Sequence, residues 1–186
     1  MATLSGGDWV DKFPDSKDVA DLTKPFRDNV TNFLAALDKA GATVHIASTL
    51  RPAEAAYLMS YSFRIAKTGL DPSAVPAMNG VDIDWVHRDA KGNPDLNASK
   101  NAANDMVSGF HIVYAPALKS RHTEGNAIDM NISWAGDLTI STADGKSCTI
   151  TSVPRTGSNV ELGGVGAGYG VCKLATDPPH WSSDGH

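Results

Sequence analysis

Apolar positions recur along this chain with two different periods, and the places where the period changes lay out its elements. Phe26, Val30, Phe33, Leu34 and Leu37 form one stripe at helical spacing. Thr23 stands at an N-cap position, Pro25 lies in the first turn and Gly41 follows the end, so the spacing predicts a helix over 24–39. Thr43–Ala47 reads as a strand, and Ser48–Arg51 as the turn after it. Pro52 opens a second helix to about Lys67, with Ala55, Met59, Ser62, Phe63 and Ala66 on its packing side. A third helix is predicted over 98–110, with Ala102, Met106, Val107 and Phe110 inward.

After Gly125 the period drops to two. Ile128, Met130, Ile132 and Trp134 alternate with Ala127, Asp129, Asn131 and Ser133, which marks a strand with one apolar and one mostly polar face. Leu138–Ser141 and Ser147–Ile150 predict a hairpin around Asp144-Gly145. The run from Gly163 to Gly170 reads as a flexible loop. It has no following Lys-Ser/Thr, so a phosphate-binding role is disfavoured. Residues 170–174 read as a last strand. The residues up to about Asp21 read as an N-terminal arm, and 68–97, rich in Gly, Pro, Asp and Asn, as a long loop with a short piece around 81–86.

With 186 residues, the chain is most simply one domain, able to bury a core without a disulfide or metal to hold it together. A net charge of −5 and the lack of any basic run argue against nucleic acid as a partner. No apolar stretch is long enough to span a membrane. The N-terminus lacks a basic region followed by an apolar core, so no signal peptide is expected and the chain is made in the cytoplasm. Cys148 and Cys172 match no zinc spacing and read as ordinary thiols, with a disulfide left open if the protein works outside the cytoplasm.

The candidate chemistry lies in Ser120-Arg-His-Thr-Glu-Gly-Asn-Ala-Ile-Asp129 and Asp177-Pro-Pro-His-Trp181. His122, Asp129 and His180 form a His2Asp set suited to zinc with an open fourth position for water. An odd offset separates His122 from Asp129, so the turn around Thr123–Gly125 is needed to bring both to one ion. Polyproline geometry through Pro178-Pro179 would return Asp177 to the side of His180, where it would act as the general base. Glu124 reads as an exposed loop residue, because the Cys-x-x-Cys partner of a deaminase is absent. His45 and His111 read as packed or edge residues, His186 as disordered, and His87 as a residue able to line a cleft.

These two segments resemble the S-x-H-x-x-G-x-A-x-D and D-x-x-H-W signatures of the zinc D-Ala-D-Ala carboxypeptidase and L-alanyl-D-glutamate endopeptidase family. The matching residues are Ser120, His122, Gly125, Ala127, Asp129, Asp177, His180 and Trp181. Ser48-Thr-Leu-Arg-Pro52 is similar to a segment whose Arg holds the substrate in that family. The resemblance implies an α+β fold of the Hedgehog and DD-peptidase type, with an antiparallel sheet carrying the metal ligands and helices packed on one side. It implies zinc as cofactor, Asp177 and Arg51 as catalytic residues, and Arg51, Ser120 and Trp181 as substrate contacts. The implied activity is hydrolysis of a peptide bond in peptidoglycan stem peptides by a monomeric, phage-type endolysin that reaches the wall by holin-type release. The rivals are a cytoplasmic D-Ala-D-Ala dipeptidase or carboxypeptidase, and a non-catalytic zinc-containing binding module of the same fold.

Overall fold

The computed structural model describes residues 2–186, a mixed α+β chain with an antiparallel sheet and, among the described residues, four α-helices. In chain order the elements are β1 (Thr3–Leu4), α1 (Phe26–Lys39), β2 (Thr43–Ser48), α2 (Ala53–Phe63), β3 (Ile83–Asp84), α3 (Leu96–Gly109), β4 (Ala127–Ser133), β5 (Leu138–Ser141), β6 (Ser147–Ile150), α4 (Val160–Gly168), β7 (Cys172–Lys173) and β8 (His180–Ser182). The chain divides into two units, each built from two separate stretches: Met1–Pro14 with Pro52–Lys119, and Asp15–Arg51 with Ser120–His186.

The second unit holds the four-stranded sheet, in the order β2-β4-β8-β7 with every pair antiparallel. The predicted alternation in β4 is present. Ile128, Met130 and Ile132 are buried on one face, while Asp129 is half-buried on the other and Asn131 and Ser133 are exposed. That apolar face packs against Phe26, Val30, Phe33 and Leu37 of α1, Leu162 and Val165 of α4, and Leu138 and Ile140 of the β5–β6 hairpin. Helices of this unit therefore cover one face of the sheet, as expected; α2 and α3 instead belong to the first unit.

Two sequence readings in this unit are corrected. First, α1 begins at Phe26 with Pro25 at the N-cap, not at Lys24 behind a Thr23 cap. The Thr23 hydroxyl donates instead to Asn126 Oδ1 at 2.7 Å, tying the helix start to the loop after His122. Second, the Gly-rich run is mostly helix α4, capped by the Asn159 side chain, which accepts from Glu161 N and Leu162 N. Glycine disfavours a helix, but close packing prevails here. A Cβ on Gly166 would lie 2.7 Å from Trp181 Cζ3 and 2.8 Å from the Val171 carbonyl oxygen.

In the first unit, α2 packs on α3 around Tyr57, Leu58, Tyr61, Ile65, Ala103, Met106 and Val107, with Trp9 and Trp85 buried beside them. The buried face of α2 thus runs through Tyr57, Leu58 and Tyr61, whereas Met59 and Phe63 are only partly buried. Helix α3 starts at Leu96 because the Asp95 carboxylate caps it by accepting from Ala98 N. The expected N-terminal arm is not peripheral. Its β1 pairs in parallel with β3, drawn from the expected long loop, and Trp9 is 4% exposed.

Candidate metal centre

Sheet register places two of the three candidate ligands. In the β4–β8 ladder Asp129 is paired with His180, and Ile128 with Trp181. Because side chains alternate along a strand, Asp129 and His180 share one face while Ile128 and Trp181 point to the core. His122 arrives from the turn over 121–125, in which Gly125 N donates to the His122 carbonyl at 3.2 Å and Asn126 N to the Arg121 carbonyl at 2.7 Å. Gly125 sits at φ 67, and a Cβ there would lie 3.1 Å from Thr23 N. Both facts make it a glycine position.

The three donor atoms form an almost equilateral triangle. His122 Nε2 is 3.2 Å from Asp129 Oδ1 and 3.2 Å from His180 Nδ1, and His180 Nδ1 is 3.2 Å from Asp129 Oδ1. Tetrahedral zinc with bonds of about 2.0–2.1 Å needs ligand–ligand edges of about 3.3 Å. Each imidazole is oriented by its other nitrogen. His122 Nδ1 lies 2.8 Å from the Thr49 carbonyl oxygen, and His180 Nε2 lies 3.2 Å from that of His186. A carbonyl only accepts, so both N–H groups point away from the triangle. Two nitrogen lone pairs and a carboxylate oxygen then converge at 3.2 Å. That arrangement is repulsive between the imidazoles unless a cation or an extra proton lies between them. The group His122, Asp129 and His180 can hold a metal ion.

With no ion bound and both imidazoles protonated, the inward nitrogens become donors: burial pushes the Asp129 carboxyl up, but hydrogen bonds from His122 and His180, and their charge, outweigh it and hold the group far below the usual carboxylate range. His180 is lowered by burial yet ends raised, through its hydrogen bond and attraction to Asp129, with smaller contributions from the His186 carbonyl and Asp177.

The remaining predicted residues are placed as follows. Asp177 is exposed at the start of a turn that Pro178-Pro179 fill, closed by His180 N donating to the Asp177 carbonyl at 3.1 Å. This is a β-turn, not a polyproline turn, but it does set Asp177 close enough for its charge to act on His180. Arg51 N donates to the His122 carbonyl at 3.1 Å, so its backbone adjoins the centre. Its guanidinium is paired with Asp15 at 2.8 Å. Ser120 sits at the head of the His122 turn, where its backbone exchanges hydrogen bonds with the Thr123 hydroxyl, and its own hydroxyl is 3.4 Å from Thr123 N. Ser120 thus shapes the turn. Trp181 does not line a substrate surface: it is fully buried, with its ring centroid 5.5 Å from that of Phe33, because it alternates with His180. It seats β8.

Glu124 is exposed and ion-paired with Arg121, which also pairs with Asp184. His45 is exposed on the edge strand β2. His111 is exposed, not packed, with φ 54. His87 packs in the first unit, with Nε2 3.1 Å from both the hydroxyl and the carbonyl oxygen of Ser5. His186 is ordered against the site: its N–H donates to Ser182 Oγ at 3.0 Å, and its carbonyl faces His180. Cys148 and Cys172 are free thiols. The sequence does not signal the support given by Asp15, Thr49 and His186, the last of which it reads as disordered. Thr49 and His186 act through backbone carbonyls, which no side-chain pattern reveals.

No known family model matches the chain, and no curated protein matches it. No helix among the described residues is long and apolar enough to cross a membrane.

Proposed function

We propose that this chain is a zinc-dependent peptidase of the Hedgehog and DD-peptidase fold type, cleaving a peptide bond in peptidoglycan stem peptides. The observation that carries the reading is the 3.2 Å triangle of His122 Nε2, Asp129 Oδ1 and His180 Nδ1, with both imidazoles turned by carbonyls so that their lone pairs face inward. The donor chemistry favours zinc, since two imidazoles and one carboxylate match open catalytic zinc sites. When bound, the ion supplies Lewis acidity to the carbonyl under attack and to water.

The chain's own residues supply the rest. Asp177, exposed beside His180, accepts the proton from the attacking water and returns it to the departing amine. Arg51 uses Nε and Nη2 on Asp15, and its remaining donors meet a substrate carboxylate or the developing oxyanion. Asp129, held far below the usual carboxylate range, offers its ionised oxygen as a ligand.

The test is incubation of the zinc-loaded protein with purified peptidoglycan and, separately, with free D-Ala-D-Ala, followed by mass spectrometry of new termini. New stem-peptide termini that vanish in a zinc-retaining Asp177→Ala variant support the reading. Cleavage of the free dipeptide alone would make the chain a dipeptidase. Zinc binding without any cleavage would leave a binding module and overturn the proposal.

A further inference from the structure

Between β7 and β8 the chain folds back through 174–179 and carries Asp177 and His180 on the same short loop. Its backbone makes local bonds: Asp177 N to the Leu174 carbonyl at 3.3 Å, His180 N to the Asp177 carbonyl at 3.1 Å, and Leu174 N to the His180 carbonyl at 3.1 Å. The carbonyl oxygens of Leu174, Asp177 and His180 have a second partner in common. Lys173 Nζ donates to them at 2.6, 2.6 and 3.1 Å. An ammonium has three N–H groups, and all three are used here. The lysine side chain is half-buried beside Gly163 and Trp181. Its Cβ lies 3.7 Å from where a Cβ on Gly163 would stand, and its Nζ is 5.6 Å from the Trp181 ring centroid.

Ordinary surface lysines do not do this. An exposed ammonium keeps its water, whereas this one has exchanged water for three converging carbonyls, each a charge-assisted bond. Two of those carbonyls belong to the residue whose imidazole faces the metal triangle and to the residue whose carboxylate stands next to it. A shift of the loop would move both side chains together. A compact point donor is needed for three oxygens that converge on one spot, and a planar guanidinium does not meet that geometry.

We propose that Lys173 is a positioning residue of the metal centre, its ammonium fixing the His180 imidazole and the Asp177 carboxylate through the carbonyls of Leu174, Asp177 and His180. The His180 half needs only that the triangle bind a metal; the Asp177 half rests on the peptidase reading.

Lys173→Met keeps the stem and removes the donors; Lys173→Gln, with a shorter polar end, stands in if the first variant does not fold. Zinc affinity is measured by competition with a chromophoric chelator, at a temperature where circular dichroism shows wild type and variant folded. The expected loss is about tenfold or more, the scale found when groups that orient metal ligands are removed. Val171→Ala, at a fully buried position that donates nothing to this loop, is expected to lower the melting temperature and leave zinc affinity unchanged. Lys173→Arg is expected not to restore affinity. On peptidoglycan at saturating zinc, Lys173→Met is expected to keep a lowered kcat with KM little changed. Unchanged zinc affinity in folded Lys173→Met overturns the proposal. Lowered affinity with wild-type kcat at saturating zinc overturns its Asp177 half. If wild type itself cuts no peptidoglycan, the peptidase reading fails while the zinc comparison still decides the His180 half.

Discussion

Arg51 and Asp15 form a forked pair: Arg51 Nε lies 3.0 Å from Asp15 Oδ1, and Nη2 lies 2.8 Å from Oδ2. Ser48 Oγ donates to the same carboxylate at 2.9 Å, so Asp15 gathers the end of β2 and Arg51 in the turn that follows. The ion pair with Asp15 therefore does not use up the Arg51 guanidinium. The pair uses one edge of the guanidinium and leaves the other edge with its donors.

Removing Asp15 frees that guanidinium. Asp15→Ala is expected to cost about 1–2 kcal/mol of stability, the range for charge-assisted hydrogen bonds at a partly exposed site. Zinc affinity should stay as in wild type, and KM for stem peptides should rise. Chemical denaturation and steady-state kinetics on the same preparation separate the two effects. A variant with reduced zinc affinity would mean that Asp15 supports the ligands as well.

Loss of any member of the donor triangle should abolish stoichiometric metal binding. Asp129→Asn and His180→Ala are each expected to bind no zinc in equilibrium dialysis at concentrations that load wild type. For wild type, free zinc at a hundred times its dissociation constant adds about 2.7 kcal/mol of stability, and a chelator removes it. A wild-type melting temperature indifferent to zinc would show that the triangle is not a metal site.

The metal-free protein should depend on pH in a way that zinc inverts. Asp129 is held below its ordinary range, so its contribution is complete above about pH 4 and is lost as pH falls through the lowered value. His180 is raised, so its contribution is complete below about pH 6.5 and is lost as pH rises through the raised value. The chelated protein should therefore be most stable at mildly acidic pH, between about 4 and 6.5. Zinc affinity should instead climb through neutrality as the imidazole proton stops competing. Urea titrations of chelated protein and zinc competition across the same pH series check both slopes.

Gly166→Ala tests the contact that seats β8. The added methyl would meet the Trp181 ring and the Val171 carbonyl, and neither is the free end of a flexible side chain. A loss of about 1–3 kcal/mol is expected from overpacking, despite the better helix propensity of alanine. A stabilised variant would show that α4 can shift on the sheet.

Where a periodic pattern reached the core, the fold was legible. The alternation from Ile128 to Ile132 and the stripe from Phe26 to Leu37 correspond to β4 and α1, which face each other across one core. The triangle was legible because His122, Asp129 and His180 carry their chemistry in their side chains. Features set by distant packing were hidden. The glycines of α4 read as loop because their fit beneath Trp181 is a tertiary fact. The early residues read as an arm because the pairing of Thr3–Leu4 with Ile83–Asp84 spans most of the first unit's sequence. Asp15 and Lys173 carried no local signal, since their partners are chosen by the folded backbone.

Strand β4 lies in the middle of its sheet, between β2, which precedes it in the chain, and β8, which follows much later. During synthesis, then, β4 can zip onto β2 at once, while its other edge waits until β8 (His180–Ser182) has been made. Until β8 docks, that edge of β4 has open hydrogen-bonding groups, and an unpaired strand edge is a general template for association. The same docking event that covers this edge delivers His180 to Asp129. A chain cut short before His180 would therefore have both an open edge on β4 and an incomplete donor set.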